Sequence, residues 1–200
     1  MNGFITGGGD TPPLSFEPLG EHDLGTLLRQ MKGRAFDAAI VRGIAKRCPW
    51  GKPQVIVCGP LRKGQPFPTT FWLTCPFLES QCARMESEGA VREIERCLAE
   101  KPLEWESYHG AAADFRMSLL SDRERDLLAP EGSPLRGALQ KTGIGGIRPT
   151  GTPFAKCLHL QVASWLGLGF HPAENWLLTK LGCLDCGKAW LSRCETEKGQ

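Results

Sequence analysis

The chain has 200 residues and a formal net charge of +2, and hydrophobic residues make up 41% of it. This size fits one domain, and the hydrophobic content is enough to form a core. Lys and Arg are spread along the chain without a basic block, so nucleic-acid binding is not expected. No apolar run reaches the ~20 residues of a membrane helix, and the N-terminus lacks the pattern of a signal peptide. We therefore expect a cytoplasmic protein that binds neither nucleic acid nor membranes.

The chain contains nine cysteines. Disulfides rarely persist in a reducing cytoplasm, and an odd count leaves at least one thiol unpaired. Burial, thiol chemistry and metal binding therefore remain as roles for these side chains. The sequence alone does not say which reaction, if any, the protein catalyses.

The first part of the chain predicts an arm, a helix and a small sheet. Residues 1–20 are rich in Gly and Pro and predict a flexible arm, whereas residues 21–35 have apolar residues at helical spacing. Three segments rich in β-branched and aromatic residues then predict strands, at 38–47, 54–58 and 69–75. The short link between the first two predicts an antiparallel pair.

The second part predicts helices. Residues 77–100 have a break or restart at Gly89, and residues 103–129 contain a capping-box pattern at Ser121. Further helices are expected at 134–141, from Pro153 onward and at 174–181, before a cysteine-rich tail. We predict an α+β fold in which a three-stranded antiparallel sheet packs against about five helices. The single domain spans residues 21–181, and the tail spans residues 182–200.

Three cysteines at the ends of predicted elements suggest a common site. Cys48 and Cys75 each separate a strand from a proline, and Cys157 lies where a helix is expected to begin. We predict that these three thiols bind zinc or an iron–sulfur cluster, with His159 or a tail cysteine completing the site. In a regular helix, residues two apart point about 200° apart. Cys157 and His159 can therefore share an ion only if the helix has not yet begun at Cys157.

The tail contains a second candidate metal site. Cys183 and Cys186 form a C-x-x-C-G pattern typical of zinc knuckles. A complete site needs two more ligands, for which Cys194 and either His171 or one of the three thiols above are candidates. An exposed tail with incidental cysteines is the alternative.

Two other functions use the same residues. In a metal-free thiol enzyme or anion-binding protein, Cys157 would react or bind at a helix start, with Arg47 and Lys156 as positive partners. His159 or His109 would then serve as base, and the glycine-rich loop 143–148 is either an anion cradle or a simple turn. The third possibility is a non-catalytic interaction module. A small-molecule or anionic ligand is compatible with these hypotheses, and the sequence identifies no protein partner.

Three motifs resemble the bacterial family catalogued as domain of unknown function 501. They are RCPWGKP at 47–53, PFPT at 66–69 with LTCP at 73–76, and KCLH at 156–159. The resemblance covers roughly residues 38–181 and implies a compact cytosolic domain without an established activity. It places Cys48, Cys75, Cys157 and His159 among the motif residues and so favours a shared site. The N-terminal arm and the tail lie outside it and inherit no role.

Overall fold

The computed structural model describes residues 16–129, 133–187 and 193–195. Eight α-helices and five β-strands occur in this part of the chain, and the α+β prediction is confirmed. In chain order they are α1 Asp23–Gln30, β1 Val41–Arg47, β2 Pro53–Cys58, β3 Leu61–Arg62, β4 Gln65–Pro66, β5 Phe71–Leu73, α2 Pro76–Ser87, α3 Ala90–Ala99, α4 Pro102–Ser118, α5 Asp122–Leu128, α6 Pro134–Gln140, α7 Leu158–Leu168 and α8 Glu174–Leu181.

The three predicted strands form one antiparallel sheet in the order β1-β2-β5. Ile56 of the central strand pairs with Ile44 on one side and with Trp72 on the other. The very short strands β3 and β4 form a separate hairpin in the proline-containing link before β5.

Both faces of β2 are buried, which is why its sequence is apolar apart from Gln54. Val55 and Val57 face the main core, which α2, α4 and α7 also line. Ile56 points to the opposite face, where it packs in a smaller cluster with Leu27 of α1. This alternation follows from the two-residue period of a strand.

Helix α7 lies across the main face of the sheet and packs against β5, β2 and α2. Gly167 allows close contact with β5, because a Cβ atom there would lie 2.2 Å from the ring of Phe71. The start of α7 is therefore held near the end of β5 and beside α2. This placement positions the candidate site.

The helices are more numerous than the predicted five because two expected breaks fully separate their neighbours. Gly89 has a φ of +88° and divides α2 from α3. Ser121 begins α5 with a complete capping box, in which Ser121 and Glu124 each accept a hydrogen bond from the other's backbone N–H. The sequence signals were thus correct, and each of them starts a new helix.

The glycine-rich loop after α6 encloses a buried arginine. Arg116 of α4 is 0% exposed and donates hydrogen bonds to the backbone oxygens of Leu139, Thr142 and Gly143. No carboxylate among the described residues pairs with it. The carbonyl groups of this turn therefore have a structural role.

The predicted arm and tail are described only in part. Residues 1–15 lie outside the described residues, but Phe16 packs edge-on against Phe115 at 6.4 Å, and Glu17 forms a β-bridge with Ile44. Of the tail, the structure describes residues 182–187 and 193–195. None of the described helices has the length and apolar character that crossing a membrane requires.

Candidate functional site

The start of α7 has the geometry that the sequence argument required for Cys157 and His159. Lys156 has a φ of +65°, and Cys157 is extended, so the helix begins only at Leu158. Because Cys157 is not part of the helix, its side chain need not point about 200° away from that of His159 around the helix axis.

Glu86, near the end of α2, completes a group of three side chains. Its Oε1 atom lies 2.9 Å from Nδ1 of His159 and accepts the backbone N–H of Leu158 at 2.6 Å. Ligand atoms of Glu86, Cys157 and His159 all lie within 4.8 Å of one another. We call these residues the Glu86 cluster. The sequence did not reveal Glu86, because it lies in an ordinary charged helix far from the motifs.

Two further side chains hold the segment that precedes α7. Glu95 of α3 accepts the N–H of Ala155 at 3.0 Å, and Gln161 donates to the carbonyl oxygen of Ala155 at 2.7 Å. Ala155 itself is fully buried. The backbone that carries Cys157 is thus fixed on both sides, which restricts the position of its thiol.

The neighbouring groups favour a positive charge on His159. Its hydrogen bond with Cys157 raises the pKa of His159; burial opposes this effect, and Glu86 adds to it. Cys82 lies one helical turn before Glu86 on α2 and is fully buried. Burial raises the pKa of the Cys82 thiol, and Glu86 and Cys157 raise it further.

A cavity of about 320 Å³ adjoins the cluster and is lined by Cys157 and His159. Its other lining residues combine aromatic and apolar side chains with two cations; they are Arg34, Phe67, Thr69, Phe71, Trp72, Leu73, Lys156 and Leu160. Arg34 lies 5.4 Å from the ring centre of Trp72 and forms an ion pair with Glu79. The cavity is large enough for a small ligand.

The two cations predicted to bind an anion lie in different places. Lys156 lines the cavity and donates to the carbonyl oxygen of Gly145 at 3.3 Å. Arg47 is instead held by the carboxylates of Asp23 and Glu17, at 2.8 and 2.6 Å. These carboxylates raise the pKa of Arg47. Its guanidinium joins the end of β1 to α1 and has little capacity left for a further anion.

Cys48 and Cys75 do not belong to the Glu86 cluster, which is the group of ligating side chains that the described part of the chain holds within 4.8 Å. The predicted trio of Cys48, Cys75 and Cys157 is therefore not gathered at that spacing. Cys75 is the N-cap of α2, and Cys157 lies beside the other end of that helix, near Glu86. Cys48 and Cys75 instead lie near the C-terminal tail.

The two cysteines of the tail motif have different surroundings. Cys183 is exposed, and its sulfur contacts the backbone of Asp185 within its own turn. Cys186 is half-buried, and its carbonyl oxygen accepts a hydrogen bond from Trp50 at 3.1 Å. The segment therefore docks on the domain through Cys186.

The two other candidate histidines are buried away from the cluster. His171 accepts the N–H of Ala173 with Nδ1, so its Nε2 donates to Gln161, and both nitrogens are used. His109 packs edge-on against Trp105 at 4.2 Å. Burial lowers the pKa of His109 to about 4 and that of His171 to about 3.

Comparison with known proteins identifies the family but no characterised relative. No curated protein and no solved structure matches the chain. A family model described as "Protein of unknown function (DUF501)" matches residues 44–179, which include most of the sheet, the Glu86 cluster and every lining residue of the cavity except Arg34. Because this match covers more than half of the chain, the protein belongs to the DUF501 family.

Proposed function

We propose that the Glu86 cluster binds a zinc ion. The observation that carries this proposal is the convergence within 4.8 Å of a carboxylate from α2, an imidazole from the first turn of α7 and a thiol from the residue before α7. Zinc is commonly bound by these three kinds of ligand, and three protein ligands are typical of zinc sites that keep a position open. An iron–sulfur cluster fits less well, because such clusters are held mainly by cysteine thiolates.

The cavity supplies a place for a ligand beside the ion. Cys157 and His159 line both the cluster and the cavity, so an open coordination position would face the cavity. Zinc at such a position acidifies a bound water and polarises carbonyl or phosphoryl oxygens. Lys156 places positive charge at the wall of the cavity, which favours a small anionic substrate, whereas Arg34 is already paired with Glu79.

The test is a measurement of zinc in the full chain, purified under reducing conditions. We expect His159→Ala to lower the zinc content by about one equivalent relative to the unchanged protein, because a site with three protein ligands loses one of them. Cys97→Ser is the matched control, since Cys97 is also half-buried but lies outside the cluster. Equal zinc contents in the unchanged and His159→Ala proteins would refute the proposal.

A metal-free thiol enzyme is the second candidate, and the proximity of Cys157 to His159, with ligand atoms within 4.8 Å of each other, favours it. A protonated imidazole beside a thiol stabilises the thiolate, and a carboxylate that orients the imidazole completes an arrangement known from nucleophilic enzymes. Glu86 occupies the place of that carboxylate.

Alkylation kinetics distinguish the second candidate from the first. In protein freed of metal with a chelator, Cys157 should react with iodoacetamide faster than Cys97 near neutral pH. His159→Ala should remove this difference. If Cys157 reacts no faster than Cys97, the thiol-enzyme hypothesis fails, whereas the zinc proposal is decided separately by the metal content.

A further inference from the structure

The C-terminal tail docks on one corner of the sheet through buried polar side chains. Gln54 of β2 is 2% exposed and donates to the carbonyl oxygen of Leu184 at 2.9 Å. Gln30 of α1 is 6% exposed, and its amide nitrogen lies 3.2 Å from the sulfur of Cys194. Arg29 also donates to the carbonyl oxygen of Cys194 at 3.1 Å. Both described parts of the tail thus contact the start of β2 or the helix beside it.

Cys48 directly follows β1, and Cys75 follows β5 by two residues, at the same corner. Cys48 closes a tight turn in which its N–H donates to the carbonyl oxygen of Lys52 at 3.0 Å. The N–H of Cys75 donates to the carbonyl oxygen of Gln54 at 3.3 Å. Gln54 therefore contacts Cys75 through its backbone and the tail through its side chain.

A single backbone carbonyl ties the remaining parts of this corner together. The oxygen of Pro53 accepts hydrogen bonds from Gln30 at 2.9 Å and from Thr74 at 3.2 Å. Gln30 is also the residue that contacts the sulfur of Cys194, and Thr74 directly precedes Cys75. Cys75 and Cys194 are thus joined through a short chain of buried polar groups.

The pKa values of three thiols at this corner are raised. Burial raises the pKa of Cys75 to about 11, and Cys194 and Cys186 contribute in the same direction, while N–H groups of Leu78 and Phe77 oppose it. Burial also raises the pKa of Cys186 and of Cys194, and in both cases Cys48 adds to the effect. A dication bound at this corner would stabilise the charged form of such thiols.

We propose that Cys48, Cys75, Cys186 and Cys194 form a closed tetrathiolate zinc site that fastens the tail to the sheet. Sulfur-only tetrahedral sites are typical of structural zinc, which leaves no open position for a substrate. The backbone N–H groups of Leu78 and Phe77, at the start of α2, favour the charged form of Cys75 and so lower its pKa against the effect of burial. Such donors stabilise a metal-bound thiolate.

Zinc would contract this corner. The four sulfurs do not form a group within 4.8 Å in the described part of the chain, and the sulfurs of a loaded site lie closer together. Cys186 and Cys194 belong to a tail whose described residues contact this corner through side-chain hydrogen bonds from Trp50, Gln54 and Arg29, so closing the site requires the tail to move toward the ends of the strands. Cys183 does not take part, because its sulfur faces its own turn. The site is separate from the Glu86 cluster, and neither proposal depends on the other.

The experiment uses the full chain with His159→Ala, so that any zinc at the Glu86 cluster is removed first. We expect about one zinc per chain to remain, with X-ray absorption showing four sulfur neighbours at about 2.3 Å. Absence of zinc, or zinc coordinated by nitrogen and oxygen atoms instead of four sulfurs, would overturn the tetrathiolate site. Iron bound by the four thiols would overturn the assignment of the ion.

Two further substitutions in the same background distinguish the ligands. Cys186→Ser should lose the remaining zinc, whereas its motif partner Cys183→Ser should keep it. Retention by both proteins, or loss from Cys183→Ser alone, would overturn the ligand set. Should Cys186→Ser fail to fold, alkylation of the unchanged protein gives the answer: a chelator should accelerate the reaction of Cys48 and Cys186 together, but not of Cys97. Unchanged rates at Cys48 and Cys186 would overturn the proposal.

Discussion

Glu86 and His159 join the end of α2 to the start of α7, with Oε1 of Glu86 lying 2.9 Å from Nδ1 of His159. The same oxygen accepts the N–H of Leu158 at 2.6 Å. Glu86 therefore also provides an acceptor for one of the backbone N–H groups that the first turn of α7 leaves unpaired. One side chain therefore has a capping role and belongs to the candidate zinc site. These two roles can be separated by substitution.

The first prediction concerns Glu86→Gln. Glutamine keeps a carbonyl oxygen that can accept the N–H of Leu158, so the unfolding free energy of the metal-free protein should change by less than about 1 kcal/mol. The negative charge that favours zinc is lost, and we expect the zinc affinity of the cluster to fall by more than about 100-fold. A competition titration with a chromogenic chelator measures this change.

Glu95→Gln is the matched control for this prediction. Glu95 likewise accepts a backbone N–H in front of α7, that of Ala155, but it is not part of the cluster. Its substitution should leave the zinc affinity within a few-fold of that of the unchanged protein. Equal losses in both variants would show that the effect comes from the backbone before α7, and not from a ligand.

The second prediction is a pH dependence that originates from His159 in metal-free protein. Cys157 and Glu86 raise the pKa of this imidazole in the folded state. A raised pKa adds stability below the unfolded value of about 6.5, and this stability is lost as the pH rises through the folded value. His159→Gln should therefore reduce the unfolding free energy more at about pH 6 than at about pH 9.

Urea unfolding in the presence of a chelator measures this difference at both pH values. His22→Gln is the comparison variant, because His22 is an exposed histidine outside the Glu86 cluster. A destabilisation by His159→Gln that grows with rising pH would contradict the assignment of a raised pKa to this imidazole.

The third prediction concerns Arg116, whose guanidinium donates to the carbonyl groups of the loop that follows α6. Burial lowers the pKa of Arg116 to about 10, yet the group keeps its charge at neutral pH. Arg116→Leu should cost at least about 3 kcal/mol of unfolding free energy, because buried carbonyl oxygens lose their donors.

Arg116→Lys tests whether the charge or the shape of the donor matters. A lysine ammonium lacks the planar fork that reaches several carbonyl groups at once, so this variant should recover less than half of the loss. Chemical unfolding measures both variants. Full recovery by lysine would mean that a positive charge alone holds the loop.

Sequence reasoning identified the architecture because its signals were local. The strands containing Val55 and Phe71 were visible from β-branched and aromatic residues, and the breaks at Gly89 and Ser121 from turn and capping chemistry. Such signals depend on residues close in the chain. The family resemblance also agreed with the matched region.

The composition of the site could be predicted only in part. The motif at the expected start of α7 identified Cys157 and His159 as candidates. Glu86 comes from a helix more than 70 positions earlier and has no motif of its own. Nor does spacing reveal that Arg47 is already paired with Asp23 and Glu17. Contacts between distant segments follow from packing, and the chain carries no local mark of them.

The fourth prediction concerns the buried His109. Both ring nitrogens lack a hydrogen-bond partner among the described residues, and the side chain is 1% exposed. Burial, assisted by the positive charge of Arg116, lowers the pKa of His109 to about 4. Between about pH 6.5 and 4 the unfolded chain therefore binds a proton that the folded protein does not, and this costs about 1.4 kcal/mol per pH unit as the pH falls.

His109→Phe should remove this part of the acid sensitivity. We expect the variant to be more stable than the unchanged protein at about pH 5 and closer to it at about pH 8, as measured by urea unfolding at both pH values. His109→Leu controls for packing, because it alters the contact with Trp105 but also lacks a titrating group. Both variants should show the same flattened pH profile even if their stabilities differ at pH 8. A profile as steep as that of the unchanged protein would mean that His109 takes up its proton in the folded state as readily as in the unfolded chain.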